Sequence, residues 1–533
     1  MEVTARKVEA LRAQAKELVR AKQWAKAADV LRELLQIYPN NPEILTQLSY
    51  MESLSGHYRA AKNYALSAGK FASPDAEVFE DQLARLRTFN EGEILCRMIE
   101  RLGPPSGIPI PVLNAAAAQL SYLNLQKHAL KLLDESKRAD PDFPPTLVSR
   151  AQVLTYFGRF EEAEKDVSRA LKRAPEIATA HWTLARLRKQ SPESNHVAEI
   201  RAQLAGSGKS PDDVAALASA LHKELDDVGD IDGAWAALEQ ACHAKRGTVS
   251  FRSEDSRKLF DSLISLPIGP MSASDNAMSS NATKIPIFIV GMHRSGTTLL
   301  EQLLDGSPDV RGVGELYDFT SAMRYATDHH CQAVIDQGIV DRAIDVDFSE
   351  VGRYYLEGMN WRLGEEPYFT DKLPSNFLNA GFICRALPQA RILHMVRDPV
   401  ETCFSNLREL FSKANPYSYD QSELADYFLQ YRRLMAHWHA AYPGRILDVD
   451  YAELTRDPEA VMRKVAAFCG IDYIDAMADP RSSKRAVSTA SAVQVRDKVV
   501  RREVPKWMPY ARHLEPLITA LRRGGVQVPV PPA

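Results

Sequence analysis

Prolines recur at near-constant spacing along the first part of the chain. Pro39 and Pro74 lie 35 residues apart, and Pro141 and Pro175 lie 34 apart. This period constrains the fold more than any single residue does. Repeats of roughly 20–50 residues are small structural units that cannot bury an apolar face alone and must stack on their neighbours. The clearest unit ends at Pro175: Ala151, Ala163 and Ala170 stand where two antiparallel helices need small contact residues, and Gly158-Arg159-Phe160 marks the turn between them. Ala15, Trp24, Ala27 and Pro39 outline a first unit, and Gly56-His57-Tyr58, Ala61 and Pro74 a second. Units near 75–106 and 107–141 are more degenerate. His181, Trp182, Leu184 and Leu187 open another first helix that gives way at Ser191-Pro192.

Small residues at the helix contacts with a proline after the second helix form the pattern of a tetratricopeptide repeat. Stacked units of this kind present a concave surface, which serves either as a docking groove for a protein or peptide or as a plain spacer. Residues 210–245 read as a further helical pair, with Ser210-Pro211-Asp212-Asp213 as a helix start and an amphipathic stretch at Ala234–Ala241. The run Pro270–Ala282 is rich in Met, Ser and Asn, the composition of a linker. The expected organisation is repeats over 1–190, a helical connecting region over 191–265, a linker over 266–283 and an α/β domain over 284–533.

The chain is long enough for several cores: 533 residues, 45% hydrophobic and 25% charged. Its 66 Lys+Arg against 69 Asp+Glu leave a net charge of −3, which excludes nucleic-acid backbone binding as the main task. Six scattered cysteines show neither a Cys-x-x-Cys spacing nor a Cys/His cluster, so no disulfide framework or metal site is expected, and a reducing compartment is. The N-terminal residues lack the apolar stretch of a signal peptide, and no run approaches a membrane span. The expectation is a cytoplasmic protein.

Ile285-Pro-Ile-Phe-Ile-Val290 is a short β-branched run of the kind found in buried parallel strands. Gly291-Met-His-Arg-Ser-Gly-Thr-Thr298 follows at once, then the helical pattern of Leu299, Leu300, Leu303 and Leu304. Strand, glycine-bearing loop and helix in that order make an anion cradle, because loop amides and the positive helix end converge on a phosphate. The spacing is close to a nucleoside-triphosphate loop, but Thr297 occupies the position of the lysine that contacts the β- and γ-phosphates. Arg294 offers a guanidinium to a sulfate or phosphate oxygen instead.

With these residues in place, Pro286–Leu300 resembles the 5′-phosphosulfate loop of the sulfotransferases, closest to tyrosylprotein sulfotransferases and to bacterial proteins joining tetratricopeptide repeats to such a domain. The family usually has proline where His293 stands. Further blocks follow in order. Gly314-Glu315 lies where the protein-sulfating members carry a glutamate base, and Asp371-Lys372-Leu373-Pro374 resembles the block whose lysine touches the transferring group. Ile392–Pro399 with Arg397, and Ser405 eight residues on, resembles the strand–loop–helix that binds a 3′-phosphate. Tyr451 resembles the tyrosine that helps hold the nucleotide. Ser488, Ser491 and Lys506 match the segment that closes over it more loosely, and Arg408 lies one position away from a further arginine of relatives.

The resemblance implies an α plus α/β two-part chain: an N-terminal tetratricopeptide-repeat solenoid and a P-loop-like sulfotransferase domain with a central parallel sheet. It implies transfer of a sulfuryl group from 3′-phosphoadenosine 5′-phosphosulfate (PAPS), with no metal, to an acceptor hydroxyl, foremost a protein or peptide tyrosine. The catalytic residues would be Glu315, Arg294 and Lys372. Arg294, Ser295, Gly296, Thr297, Thr298, Arg397, Ser405, Tyr451, Ser491 and Lys506 would bind PAPS. His329 and His330 are rival bases. A carbohydrate or small-molecule acceptor, a nucleotide-dependent kinase with an atypical loop, and a catalytically dead scaffold are the alternatives. A protein substrate docked by the repeats is the expected partner, and relatives of this kind often form homodimers.

Overall fold

The computed structural model describes residues 2–73, 75–267, 284–482, 485–487 and 504–528. Pro74 and all but the first two residues of the 266–283 segment lie outside them. The chain forms two compact units that cut across the sequence segments. One comprises Met1–Pro141 with Tyr317–Arg362, the other Asp142–Leu316 with Leu363–Ala533.

In the first unit, antiparallel helix pairs follow the proline period: Glu2–Arg20 with Trp24–Ile37, Pro42–Leu54 with Tyr58–Ala68, Ala76–Thr88 with Gly92–Glu100, and Ile110–Tyr122 with Gln126–Ala139. The expected small residues are the contacts. Ala27 and Ala61 are fully buried, and Gly56 turns the chain at φ 88°. The later segment Tyr317–Arg362 joins this unit through apolar packing: Tyr325 lies on the Tyr58, Ala61, Ala65 and Phe89 cluster. Tyr354 stacks on Tyr325 at 4.5 Å between ring centroids.

The second unit starts with one more repeat, Pro144–Tyr156 and Phe160–Arg173, whose Ala151, Ala163 and Ala170 are fully buried. Ala178–Leu187 follows as the expected lone first helix. Pro211–Val228 and Ile231–Arg246 then form the further pair, with Ser210 Oγ accepting from the Asp213 amide at 3.1 Å as the N-cap.

The same unit holds a five-stranded, all-parallel sheet: β1 Ile285–Gly291, β2 Val310–Gly312, β3 Tyr368–Asp371, β4 Arg391–Val396 and β5 Ile446–Asp450. Its order is β2-β3-β1-β4-β5, so β1 is central. Ile287, Phe288, Ile289 and Val290 are all at 0% exposure, which explains their unbroken apolar run. A sheet of this kind binds ligands beyond the carboxyl ends of its strands at the switch point between β1 and β4, whose onward connections run in opposite directions, to β2 and to β5. Among the described residues no helix is long and apolar enough to cross a membrane.

Candidate active site

Each strand of the sheet delivers a residue singled out in the sequence to its carboxyl end. The loop after β1 curves through Gly291 at φ 148°, Arg294 at φ 66° and Gly296 at φ 112° before the helix Thr297–Leu304. Both glycines are required by close approach. A Cβ on Gly291 would stand 2.8 Å from the Met395 carbonyl oxygen, and one on Gly296 would stand 2.4 Å from the Tyr451 ring. The Ser295 hydroxyl is buried with no hydrogen-bond partner among the described residues. A buried, unanswered donor inside a tight loop is costly unless something binds it.

Beyond β2 and β3, Glu315 and Lys372 meet: Lys372 Nζ donates to Glu315 Oε1 at 2.6 Å. The lysine side chain is fully buried, whereas the glutamate is 33% exposed, so the pair faces outward through its carboxylate. The Lys372 amide also donates to the Gly314 carbonyl at 3.1 Å, fixing the two strand ends against each other.

Beyond β4, Arg397 donates to the Arg294 carbonyl oxygen at 2.9 Å and pairs with Glu401 at 2.9 Å. Its guanidinium lies over the Tyr451 ring, 4.4 Å from the centroid. Tyr451, from the end of β5, thus fills the space between Arg397 and Gly296. Ser405 sits half-buried on the helix Pro399–Leu407, which Asp398 caps by accepting from the Glu401 amide at 2.7 Å.

The electrostatics favour a polyanion. Burial is the largest influence on Arg294 and pulls its pKa below the usual arginine range. Glu409, 3.8 Å away, opposes that shift, while Arg186, Arg397 and Arg408 reinforce it. Such a group keeps its charge at neutral pH. Arginines crowded round a phosphate-type loop, with a buried hydroxyl left unanswered, fit a ligand bearing phosphate and sulfate groups. His293 is held neutral: burial first, then Lys372 and Arg294, pull its pKa down to about 3.

Residues 286–475 match the model of the sulfotransferase family, and residues 8–51 match a tetratricopeptide repeat. The chain carries a sulfotransferase-family domain behind helical repeats. An uncharacterized protein of Aquifex aeolicus is 30% identical over 405 residues, covering 74% of this chain and 52% of that one. The protein-tyrosine sulfotransferase of Drosophila melanogaster is 24% identical over 248 residues, covering 44% and 47%. Protein-tyrosine sulfotransferase 2 of Gallus gallus is 26% identical over 206 residues, covering 36% and 52%. The chain thus spans about half the length of these relatives. Among solved structures, the sulfotransferase domain of a Synechococcus olefin synthase aligns at 20% identity and TM-score 0.30, over 47% of this chain and 98% of that one.

Other candidates of the sulfotransferase domain are placed differently. Ser488 and Ser491 lie outside the described residues. Lys506 is half-buried and acts electrostatically on Asp226, which also pairs with Arg408 at 3.3 Å. The rival bases have partners inside the first unit: His329 Nε2 is 2.9 Å from Asp336, and His330 stacks on Tyr58 at 5.9 Å. Burial, ahead of Arg324 and Arg85, pulls the His330 pKa down to about 4.

Three supporting residues carry no sequence signal. Glu301, one turn into the loop helix, accepts from the Gly314 amide at 2.8 Å and from the Thr370 hydroxyl at 2.9 Å, and pairs with Arg485 at 3.0 Å. It therefore braces both strand ends that carry Glu315 and Lys372. Burial alone would raise its pKa, but Arg485, Lys372 and these hydrogen bonds outweigh it and hold the carboxyl below its usual range. Asn406 donates to the His293 carbonyl at 2.6 Å. Glu409 lies between Arg294 and Arg186, the latter 3.6 Å away. Only the folded chain brings these together, because each is an ordinary polar residue on a helix or loop.

Proposed function

We propose that the domain moves a sulfuryl group from PAPS to an acceptor hydroxyl, and that the acceptor is a tyrosine of a protein or peptide. The observation that carries this reading is the Lys372–Glu315 pair at 2.6 Å beside a phosphate-type loop, a cation and a base held at one strand-end surface. Arg294, Ser295, Gly296, Thr297 and Thr298 would hold the 5′-phosphosulfate. Arg397, Ser405 and Tyr451, with Ser491 and Lys506, would hold the 3′-phosphoadenosine part. When bound, the donor supplies a sulfur atom whose leaving group is already a phosphate.

Glu315 accepts the proton of the acceptor hydroxyl as that oxygen bonds to sulfur. A phenol near pKa 10 does not lose its proton to a carboxylate beforehand, so the two events must coincide. Lys372 neutralises the charge that passes to the bridging phosphate oxygen as the sulfur–oxygen bond breaks, the electron pair leaving with the nucleotide. Arg294 and the loop amides keep acceptor and donor in line. The names of the Drosophila and Gallus relatives support tyrosine, and the helical repeats support a protein or peptide substrate.

The test is transfer of labelled sulfate from PAPS to a panel of tyrosine peptides, carbohydrates and small phenols or alcohols, with an ATP–magnesium arm. Labelled tyrosine peptide is the expected product. Labelling confined to a sugar or metabolite would replace the acceptor. Phosphate transfer from ATP would favour a kinase, and absence of both transfer and calorimetric PAPS binding would leave a scaffold.

A further inference from the structure

Three elements of the second unit bring His394 of β4, Asp448 of β5 and His439 of the helix Gln421–Ala441 together. One nitrogen or oxygen atom from each lies within 4.8 Å of the others. His394 and Asp448 are register partners on adjacent parallel strands. Asp448 Oδ1 is 2.7 Å from His394 Nδ1 and 2.7 Å from His439 Nε2, so two imidazoles share a single carboxylate oxygen. The other nitrogen of His394 is hydrogen-bonded to the hydroxyl of buried Tyr431. His394 is therefore fixed at both ends of its ring and 7% exposed, while His439 and Asp448 reach solvent at 35% and 55%.

We propose that His394, His439 and Asp448 form a divalent transition-metal site, fitted best by zinc, with solvent in the fourth position. Two imidazole nitrogens and one carboxylate oxygen are zinc ligands, whereas calcium and magnesium call for oxygen throughout. Ligand atoms about 2.0–2.2 Å from a tetrahedral zinc stand about 3.3–3.6 Å apart. Each imidazole nitrogen, now 2.7 Å from Asp448 Oδ1, has to draw back from it by less than about 1 Å, and the two nitrogens already lie within 4.8 Å of each other; His439 and Asp448, both reaching solvent, have room to turn. Tyr431 is the outer partner such a site needs, because accepting from His394 Nε2–H leaves the Nδ1 lone pair facing the metal. Bound zinc would tie β4, three residues before Arg397, to β5, three residues before Tyr451. The site does not depend on the sulfotransferase reading, and none of its residues is placed in the transfer machinery.

The test uses the full chain, stripped by chelator and titrated with zinc against a chromophoric competitor. One zinc per chain is expected, with affinity falling at least about tenfold in His439→Ala and in Asp448→Asn. Cobalt in place of zinc should give the strong visible bands of a four-coordinate ion, and circular dichroism confirms that the variants fold. Equal zinc affinity in the wild type and folded variants would overturn the proposal. If both variants misfold, the wild-type cobalt spectrum decides: weak, six-coordinate bands would overturn it as well.

Discussion

Lys372 spends its buried charge on Glu315, and this pairing sets what each replacement should do. Glu315→Ala should lower turnover by about 10²–10⁴-fold while calorimetric PAPS binding stays nearly unchanged, since the loop and Arg397 are untouched. Unaltered turnover would remove Glu315 as the base. Glu301 acts one step further back, through the Gly314 amide and Thr370 hydroxyl it accepts from. Its folded pKa is held below that of the unfolded carboxyl, so its stabilisation is complete above the unfolded value and disappears as pH falls through the folded pKa. In Glu301→Gln the melting temperature should be lower at neutral pH and fall less steeply on acidification, as thermal melts across pH 3–7 would show.

At the scale of elements, the loop helix and β5 are coupled by a missing side chain. Gly296 lets the Tyr451 ring lie against the loop, and Tyr451 in turn supports Arg397. Gly296→Ala would bring a Cβ to 2.4 Å from that ring and demand φ 112° of an alanine. We expect a marked loss of PAPS affinity by calorimetry, larger than any loss from Tyr451→Phe, which keeps the ring. Equal affinities for Gly296→Ala and the wild type would show that the loop yields without penalty.

Across the whole molecule, the compact units bear on where the chain can be cut. The sequence reads 210–245 as the last helical pair ahead of the α/β domain, which invites a cut after residue 245, but residues 142–316 belong to the same unit as the sheet. Asp226 accepts from the Tyr510 hydroxyl at 2.6 Å, Arg186 pairs with Glu409 at 3.6 Å, and the Cys242 thiol lies 3.5 Å from the Leu407 carbonyl oxygen. A chain starting at residue 246 would expose the apolar faces of these helices' partners and strand the buried polar groups. It should be insoluble or melt well below the intact protein, as solubility and calorimetry would report. A soluble fragment with an unchanged melting temperature would mean that the helices contribute little.

Near-neighbour physics made much of this protein legible before folding. Ala151, Ala163 and Ala170 announce close helix packing because only a small side chain permits it. The loop of Gly291 and Gly296 announces an anion cradle because its chemistry is contained in eight consecutive residues. Glu315 and Lys372 are singled out one by one, through resemblance. Their 2.6 Å pairing, the brace from Glu301 and the His394–Asp448–His439 cluster were decided only by the tertiary structure. Parallel strands are joined through long crossovers, so residues that end up side by side lie tens of positions apart along the chain, with no local period to mark them. The affiliation of 142–187 with the sheet and of 317–362 with the first repeats has the same origin, since buried apolar contact follows surface shape rather than sequence order.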